Sequence, residues 1–334
     1  MASSRLRRST RAPRSRRGPR RGARRAGAAL FGAALALAAL LLVARPTPLG
    51  AWGEHGHRLA GAAAVEALPS GMPAFFRAAG RQLAYLNPEP DRWRNRTERE
   101  LDPALDGATA PDHYVDLELI PAARRAAVLG ARTRFDYADS LRAAGASAAT
   151  VGLLPFRIVE LTQRLRAGFR LWRAAPDAET RGWIEQRIVN DAGVLGHYVA
   201  DGANPAHTTV HHNGWVGANP RGFATDTRFH SRFESAFVQA RVSEQDLRAA
   251  MRGAPPARRL PDVRAAVLDY VRASHARVVR LYELDKRAPF GAENDRPEHE
   301  AFAVERLAAG TAMLRDLWWT AWVASADTTG APSR

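Results

Sequence analysis

The chain of 334 residues has 49 Lys and Arg against 34 Asp and Glu, and it contains no cysteine. The lack of cysteine excludes a disulfide framework, a thiolate metal site and a cysteine nucleophile. Residues 1–51 hold twelve arginines and no acidic residue, so the formal net charge of +15 falls by twelve, to +3, over residues 52–334. This small remaining charge gives no argument for binding to nucleic acid.

The first 51 residues have the composition of an export signal. Residues 1–25 carry eleven arginines, residues 26–44 are apolar throughout, and the small residues Gly50 and Ala51 follow. This order predicts a signal peptide over residues 1–51 that is cleaved after Ala51. The predicted location is therefore periplasmic or secreted, with the export route left open. Because the apolar segment nearly spans a bilayer, a membrane-anchored protein with an uncleaved segment is the alternative.

Helical patterns cover most of the remaining chain. Apolar residues recur at three- and four-residue steps, and the turn signals lie far apart. Helices are expected over residues 54–67, 154–174, 178–201, 227–241, 261–284 and 297–324. Residues 86–116 and 202–229 are expected to be loops. The sequence thus predicts an all-α fold, with a single multi-helix domain over residues 52–325 and a disordered tail over residues 326–334.

Histidines and carboxylates occur at helical spacing near the middle of the chain. His197 precedes Asp201 by four residues, and His230 precedes Glu234 by four, so each pair shares one helix face. A proline ends the first helix and lets the chain turn back before His207. Imidazole and carboxylate groups delivered from two helices are the ligands that a multinuclear zinc site needs. The pattern predicts a zinc enzyme whose metal site lies between helices and loops.

These residues resemble a known superfamily, the zinc-dependent phospholipases C and the single-strand-specific zinc nucleases, which share one helical fold. In that superfamily the mature chain begins with a tryptophan whose amine and carbonyl oxygen bind zinc. The string Trp52-Gly-Glu-His-Gly-His57 resembles the opening of the nucleases, and cleavage after residue 51 would expose Trp52. The superfamily next has an Asp before a His-aromatic pair, similar to Asp91 and His113-Tyr114. The run His-x3-Asp-x5-His, then His-x3-Asp or Glu, is similar to residues 197–234.

The resemblance implies three zinc ions and nine ligand residues. By this resemblance, the first zinc is held by Asp91, His113, His197 and Asp201. The second is held by Trp52 and His57, with Asp201 bridging to it from the first. The third is held by His207, His230 and Glu234. Asp91 is preferred as the first carboxylate because Asp-Arg-Trp-Arg resembles the Asp-x-x-Arg of the superfamily. Other aspartates also precede His113 and remain open as alternatives, namely Asp102, Asp106 and Asp112.

The other five histidines of the chain are expected to be solvated or hydrogen-bonded rather than to bind metal. They are His55, His211, His212, His275 and His299. For His211 and His212, a contact with substrate is the alternative.

By the same resemblance, the chain is expected to be an exported zinc-dependent hydrolase of phosphodiester bonds. A metal-bound hydroxide would attack the diester, with Asp91 orienting it or taking its proton. Glu234, where the nucleases have Asp, favours phospholipase C activity on a phospholipid headgroup. The opening at Trp52 favours the alternative, a nuclease for single-stranded nucleic acid, in which Tyr114 or Trp215 would stack on a base.

A third, more distant hypothesis is a non-catalytic periplasmic zinc-binding module. The expected partner is thus the phosphodiester substrate, and no stable protein partner is implied. The chain is expected to be a monomer.

Overall fold

Helices make up the regular structure of residues 52–327, the part of the chain that the computed structural model describes. The α-helices are, in chain order, α1 (Gly53–Glu66), α2 (Ala74–Ala78), α3 (Gly80–Leu86), α4 (Glu89–Arg92), α5 (Arg96–Leu101), α6 (Pro103–Thr109), α7 (Arg125–Leu129), α8 (Arg134–Ala143), α9 (Ala148–Val151), α10 (Leu154–Arg173), α11 (Ala178–Ala203), α12 (Phe229–Ser231), α13 (Val238–Arg241), α14 (Glu244–Arg252), α15 (Val263–His275), α16 (Val278–Arg287) and α17 (Pro297–Ala324). Turns of 3₁₀ helix cover Ala110–His113, Leu117–Leu119, Ala122–Arg124 and Pro205–Thr208, and π-helix covers Arg232–Phe237. Since this described part contains no β-strand, the predicted all-α class is confirmed.

Helix α11 runs through the centre of the fold. It begins at Asp177, whose side chain accepts a hydrogen bond from the backbone N–H of Thr180 and so caps the first turn. Its second half is buried on nearly every side, because α1, α3, α10 and α17 all pack against it. Gly196 permits the close approach of α3, since a Cβ there would lie 2.4 Å from Oδ1 of Asn87. The buried half of α11 is the segment that carries His197 and Asp201.

Two clusters of buried apolar side chains meet along α11. The first contains aromatic residues of α2, α10 and α17, including Phe76, Phe169 and Trp318. The second surrounds the start of α1 and the π-helical turn, and includes Phe233, Tyr282 and Phe290. Val199 belongs to the first cluster and its neighbour Ala200 to the second. The end of α11 that carries His197 and Asp201 is therefore held by both apolar clusters, which fixes its position.

The prediction of a single helix over residues 261–284 is wrong in one respect, because the structure has two helices there, α15 and α16. The chain bends at residues 276–277, although neither glycine nor proline lies there. The last two residues of α15 form bonds to other segments. Ser274 Oγ donates to the carbonyl oxygen of Ala203, and His275 Nδ1 lies 2.8 Å from the carbonyl oxygen of Thr208. These bonds tie the end of α15 to the segment that follows α11.

The expectation of a loop over residues 86–116 is also wrong in part, because α4, α5 and α6 lie there. Asn95 and Asp102 start α5 and α6, and their side chains accept hydrogen bonds from backbone N–H groups of the first turn. Helix α11 likewise runs to Ala203, two residues beyond the expected end. The turn at Pro205 then stops it as expected.

The predicted signal peptide, residues 1–51, lies outside the described residues, and so do residues 328–334 of the predicted tail. Between residues 52 and 327, no helix is both long enough and apolar enough to cross a bilayer.

Candidate metal centre

Asp201 lies at the centre of a group of buried imidazoles. Its Oδ2 is 3.1 Å from Nδ1 of His113 and 3.3 Å from Nε2 of His197, the partner four residues earlier on α11. Its Oδ1 faces another way, 3.5 Å from Nε2 of His57 on α1. The two oxygens of one carboxylate are therefore directed at different histidines. This is the arrangement of a carboxylate that bridges two metal positions.

Asp91, on the short helix α4, completes a second group with His113 and His197. Its Oδ1 is 3.6 Å from Nε2 of His197 and 3.9 Å from Nδ1 of His113. The two imidazole nitrogens are themselves 3.0 Å apart. Ligand atoms at 2.0–2.1 Å from a tetrahedral zinc lie about 3.3 Å from one another. The spacing within this group therefore suits one ion at its centre.

A third group consists of His207, His230 and Glu234. Nε2 of His230 is 2.6 Å from Oε2 of Glu234 and 3.1 Å from Nε2 of His207. Glu234 lies in the π-helical turn Arg232–Phe237, so the predicted four-residue spacing from His230 is carried by a locally widened helix. The ligand atoms lie within 4.8 Å of one another in each of three sets, namely His57, His197 and Asp201; Asp91, His113 and His197; and His207, His230 and Glu234.

Trp52 is the first described residue, and its backbone nitrogen lies beside the third group. This nitrogen donates to Oε2 of Glu234 at 2.9 Å. Trp52 is the one described non-glycine residue with a positive φ, at 48°, and its fully buried indole donates from Nε1 to the carbonyl oxygen of Ala200. Such a strained backbone persists only where the surroundings hold it. The resemblance assigns Trp52 to the zinc of His57 and Asp201, whereas its nitrogen here contacts Glu234.

The His113 and His207 segments are held together by one backbone hydrogen bond and one bond from a side chain to the backbone. The N–H of Val115 donates to the carbonyl oxygen of His207, and Nδ1 of His207 lies 2.7 Å from the carbonyl oxygen of His113. A carbonyl oxygen can only accept, so Nδ1 of His207 carries the proton. In neutral His207 the lone pair is then on Nε2, which faces His230 and Glu234.

Several buried polar atoms of these groups have no hydrogen-bond partner among the described residues. They are Nδ1 and Nε2 of His57, Nε2 of His113, Nδ1 of His197 and Oδ1 of Asp201. An unpaired buried polar atom costs about 1–3 kcal/mol, so such atoms are rare without a ligand or water. Nε2 of His57 and Oδ1 of Asp201 face each other at 3.5 Å, without a hydrogen bond between them. This unsatisfied pair fits a metal ion held between His57 and Asp201, whereas Nε2 of His113 and Nδ1 of His197 are the ring nitrogens that do not face Asp201.

Burial keeps two of the histidines neutral. It lowers the pKa of His113 to about 4, with a further contribution from the neighbouring His197. Burial and His197 likewise hold the pKa of His57 well below its usual value. A neutral imidazole has a free lone pair at neutral pH, which is the form that binds a metal.

Two of the three carboxylates, in contrast, are held as anions, since the neighbouring histidines lower the pKa of Asp201 and of Glu234 despite their burial, whereas burial raises the pKa of Asp91 to about 6. Burial disfavours the anion of Glu234, yet His230 and His207 lower its pKa to about 2. Burial also disfavours the cation of His207, but Asp201 and Glu234 raise its pKa to about 9. The buried anions thus attract positive charge, which a bound metal cation supplies in place of protons.

The alternative aspartates have other partners. Asp102 caps α6. Asp106 forms ion pairs with Arg94 and Arg99, and Asp112 lies 3.5 Å from Arg134. Of the four aspartates considered, Asp91 is the one that the structure brings to the histidines.

The five histidines expected outside the metal site each have a different neighbour. His55 contacts the carbonyl oxygen of Val242, and His299 contacts those of Leu284 and Ala288. His275 bonds the segment of Thr208, as described above. The ring of His211 stacks on that of Trp215 at 3.9 Å, which leaves neither ring face between them open to a substrate. His212 lies nearest the centre, with its ring centroid 6.4 Å from that of His230.

The centre opens to solvent at two of its ligands. The side chains of Asp91 and His230 are 20% and 17% exposed, whereas those of the other His, Asp and Glu ligands are at most 7% exposed. The exposed His212 lies beside His230. The centre is therefore accessible to solvent at Asp91 and, separately, at His230 beside His212.

Asn204 is a site residue that the sequence analysis missed. It is fully buried, its Nδ2 donates to Oε2 of Glu234 at 3.2 Å, and its Oδ1 accepts from the N–H of Ala206. It thus joins the turn that carries His207 to the carboxylate of Glu234. Its position directly before Pro205, where Asn often starts a turn, is the signal that could have identified it.

We expect Asn204→Ala to weaken metal binding about 10–100-fold, because the carboxylate of Glu234 loses the group that orients it. Thr208→Val is the matched control: Thr208 Oγ1 donates to the carbonyl oxygen of Pro205 in the same turn, and no contact joins this side chain to a candidate ligand. Both variants should lose about 1–3 kcal/mol of folding stability. Competition with a zinc chelator and thermal unfolding measure the two effects. An equal loss of zinc affinity in both variants would mean that Asn204 acts only through the turn.

The comparisons with known proteins assign neither a family nor a function to this chain. The chain matches no family model, no curated protein and no solved structure. The possible metal binding therefore rests on the buried His, Asp and Glu groups described above.

Proposed function

We propose that this protein is a zinc-dependent hydrolase of phosphodiester bonds, with a slight preference for phospholipase C activity. The observation that carries the proposal is the convergence of three adjoining His and carboxylate groups on one partly open centre. Nitrogen and oxygen ligands without thiolate suit zinc among the common metals. The order of these ligands along the chain resembles that of the zinc-dependent phospholipases C and single-strand-specific zinc nucleases.

When bound, zinc ions polarise a phosphoryl oxygen and allow water to act as a nucleophile at neutral pH. The residues of the chain supply the position and the proton acceptor. Asp91 is the most exposed carboxylate of the centre, so it can meet the attacking water and take its proton. As the new P–O bond forms, the ester P–O bond breaks and the leaving oxygen takes up a proton.

The substrate follows from the accessible side of the centre. An anionic diester that enters beside His230 would meet His212, whose imidazole can donate a ring N–H to a phosphoryl oxygen. Glu234 in place of Asp supports the phospholipase branch by resemblance. The nuclease remains the second candidate, because Trp52 and His57 are both drawn into the centre as the nuclease-like opening implies.

A base-stacking aromatic is the feature that the nuclease needs. Trp215 is stacked on His211, and the hydroxyl of Tyr114 donates to the carbonyl oxygen of Ala149. Trp93 is 45% exposed and lies two residues beyond Asp91, so it is the better candidate on this structure. Tyr114 and Trp215, predicted from the sequence, stay open beside it.

Four diesters offered side by side decide between the branches. Zinc-loaded residues 52–334 are incubated with phosphatidylcholine vesicles, single-stranded DNA, RNA and bis-p-nitrophenyl phosphate. We expect release of diacylglycerol, and release of nucleotides alone would assign the nuclease branch instead. Hydrolysis of none of the four would favour the non-catalytic zinc-binding module.

A further inference from the structure

An arginine-rich groove lies on a different part of the surface from the metal centre. It is bordered by α10, by the start of α15, by the end of α17 and by the segment before α8. Its volume is about 870 Å³, and none of the nine candidate ligands lines it. Pockets of roughly 300–1,000 Å³ are the size that proteins use for small organic ligands.

The groove carries an excess of positive charge. Five arginines line it against two aspartates, which leaves a net charge of +3. The arginines are Arg132, Arg166, Arg170, Arg259 and Arg264. Asp327 forms an ion pair with Arg259, and Asp262 accepts a hydrogen bond from the N–H of Ala265 at the start of α15. The carboxylates of the groove are therefore already engaged.

Four of the five arginines have no carboxylate within ion-pair distance in the described part of the chain. Arg170 and Arg264 contact only backbone carbonyl oxygens, those of Asp327 and Ala131. Many arginines elsewhere on this arginine-rich protein are paired, for example with Glu54, Glu66, Glu100 and Glu298. The groove is thus a place where guanidinium groups converge without the acids that neutralise them elsewhere.

The lining also narrows the class of ligand. A guanidinium forms paired hydrogen bonds with the oxygens of phosphate or sulfate, which makes arginine the usual residue for such groups. No aromatic side chain lines the groove, so it has no platform for stacking nucleic-acid bases. It is a recess between helices whose volume suits a small ligand. These features favour a small ligand with several tetrahedral anionic groups.

We propose that this groove binds a compact anion carrying several phosphate or sulfate groups, at a site separate from the metal centre. Arg166 and Arg170 lie one turn apart on α10 and are both exposed, so they present their donors along one side of the groove. The ligand bridges them to the arginines at the start of α15. This binding is independent of the phosphodiesterase activity proposed above.

Titration of the zinc-loaded chain with sucrose octasulfate tests the proposal. This probe is a compact polyanion that a phosphodiesterase does not hydrolyse. The variant Arg166→Gln/Arg170→Gln removes two charges that form no described ion pair, so the fold should be retained. We expect its affinity for the probe to fall by at least about tenfold at low salt, and the affinity of the unaltered protein to fall as salt is added.

The variant Arg77→Gln/Arg81→Gln is the matched control, since it removes two exposed arginines that do not line the groove and form no ion pair in the described part of the chain. It should bind the probe like the unaltered protein. Inositol hexakisphosphate is titrated in the same way, in the presence of zinc, to distinguish a phosphate ligand from a sulfate ligand. Any binding at the metal centre is common to all three proteins, so a difference between the proteins reports binding in the groove.

Equal binding by the three proteins, or no binding of either polyanion, would overturn the proposal. Flotation with phosphatidylglycerol vesicles and a shift of oligothymidylate are measured in parallel. If only vesicles or only the oligonucleotide bind, and this binding is lost in the groove variant, then the groove serves a membrane or a nucleic acid instead and the proposal is wrong.

Discussion

Asp201→Asn is expected to remove most of the bound metal and to lower the proposed phosphodiesterase activity by at least about 10²–10³-fold. Asp201 is fully buried, and its two oxygens face His57 on one side and His113 and His197 on the other. The amide is neutral and offers one oxygen in place of two. Two of the three metal positions therefore lose a ligand at once. Elemental analysis should find about three zinc ions in the unaltered protein and about one in the variant.

Asp191→Asn provides the control on the same helix. Asp191 is also buried on α11, and it accepts a hydrogen bond from Arg164 without contact to any candidate ligand. The variant makes the same chemical change in the same helix, so it should keep its zinc and its activity. A zinc content of one or below in the unaltered protein would contradict the trinuclear site. Full activity of Asp201→Asn would remove Asp201 from the mechanism.

The long helices could be predicted from the sequence because local signals and the apolar period agree. Helix α11 has the N-cap Asp177, and α17 begins with Pro297 in its first turn. The break between α15 and α16 could not be predicted, since no glycine or proline marks it. It follows from bonds of Ser274 and His275 to a segment about seventy residues earlier. A local sequence pattern cannot reveal contacts between residues so far apart along the chain.

The candidate site, too, could be predicted from the sequence only in part. Spacing alone places His197 beside Asp201 and His230 beside Glu234, because residues four apart share a helix face. Spacing cannot say which aspartate meets His113. That choice depends on which aspartates find arginines or helix ends as partners, as Asp106 and Asp102 do.

Asn204 illustrates a further limit of sequence patterns. A ligand pattern selects residues that can bind metal, and an amide that only orients a carboxylate is not among them. Its role depends on the position of Glu234, thirty residues away. The residues that hold ligands in place are therefore the part of such a centre that needs a structure.

Extension of residues 52–334, the predicted mature chain, by one alanine before Trp52 is expected to cost one zinc ion and at least about 10²–10³-fold in activity. By resemblance, the α-amine and carbonyl oxygen of Trp52 bind zinc. In the structure the backbone nitrogen of Trp52 already lies 2.9 Å from Oε2 of Glu234, inside the centre. A peptide nitrogen is a poor ligand, because its lone pair is delocalised into the carbonyl group. A free amine has a pKa of about 8 and releases its proton readily beside a cation.

Trp52→Phe with a free amine separates the backbone from the side chain. This variant loses the hydrogen bond from the indole to Ala200, so it should be less stable by about 1–3 kcal/mol, yet it should keep its full zinc content. The chains are produced behind a cleavable tag and compared by elemental analysis and by diester hydrolysis. If the extended and mature chains bind equal zinc and are equally active, Trp52 is not a ligand and its role is to anchor the start of α1. If only the extended chain loses zinc, removal of the residues before Trp52 is an activation step, and a precursor that retains them stays inactive until it is processed.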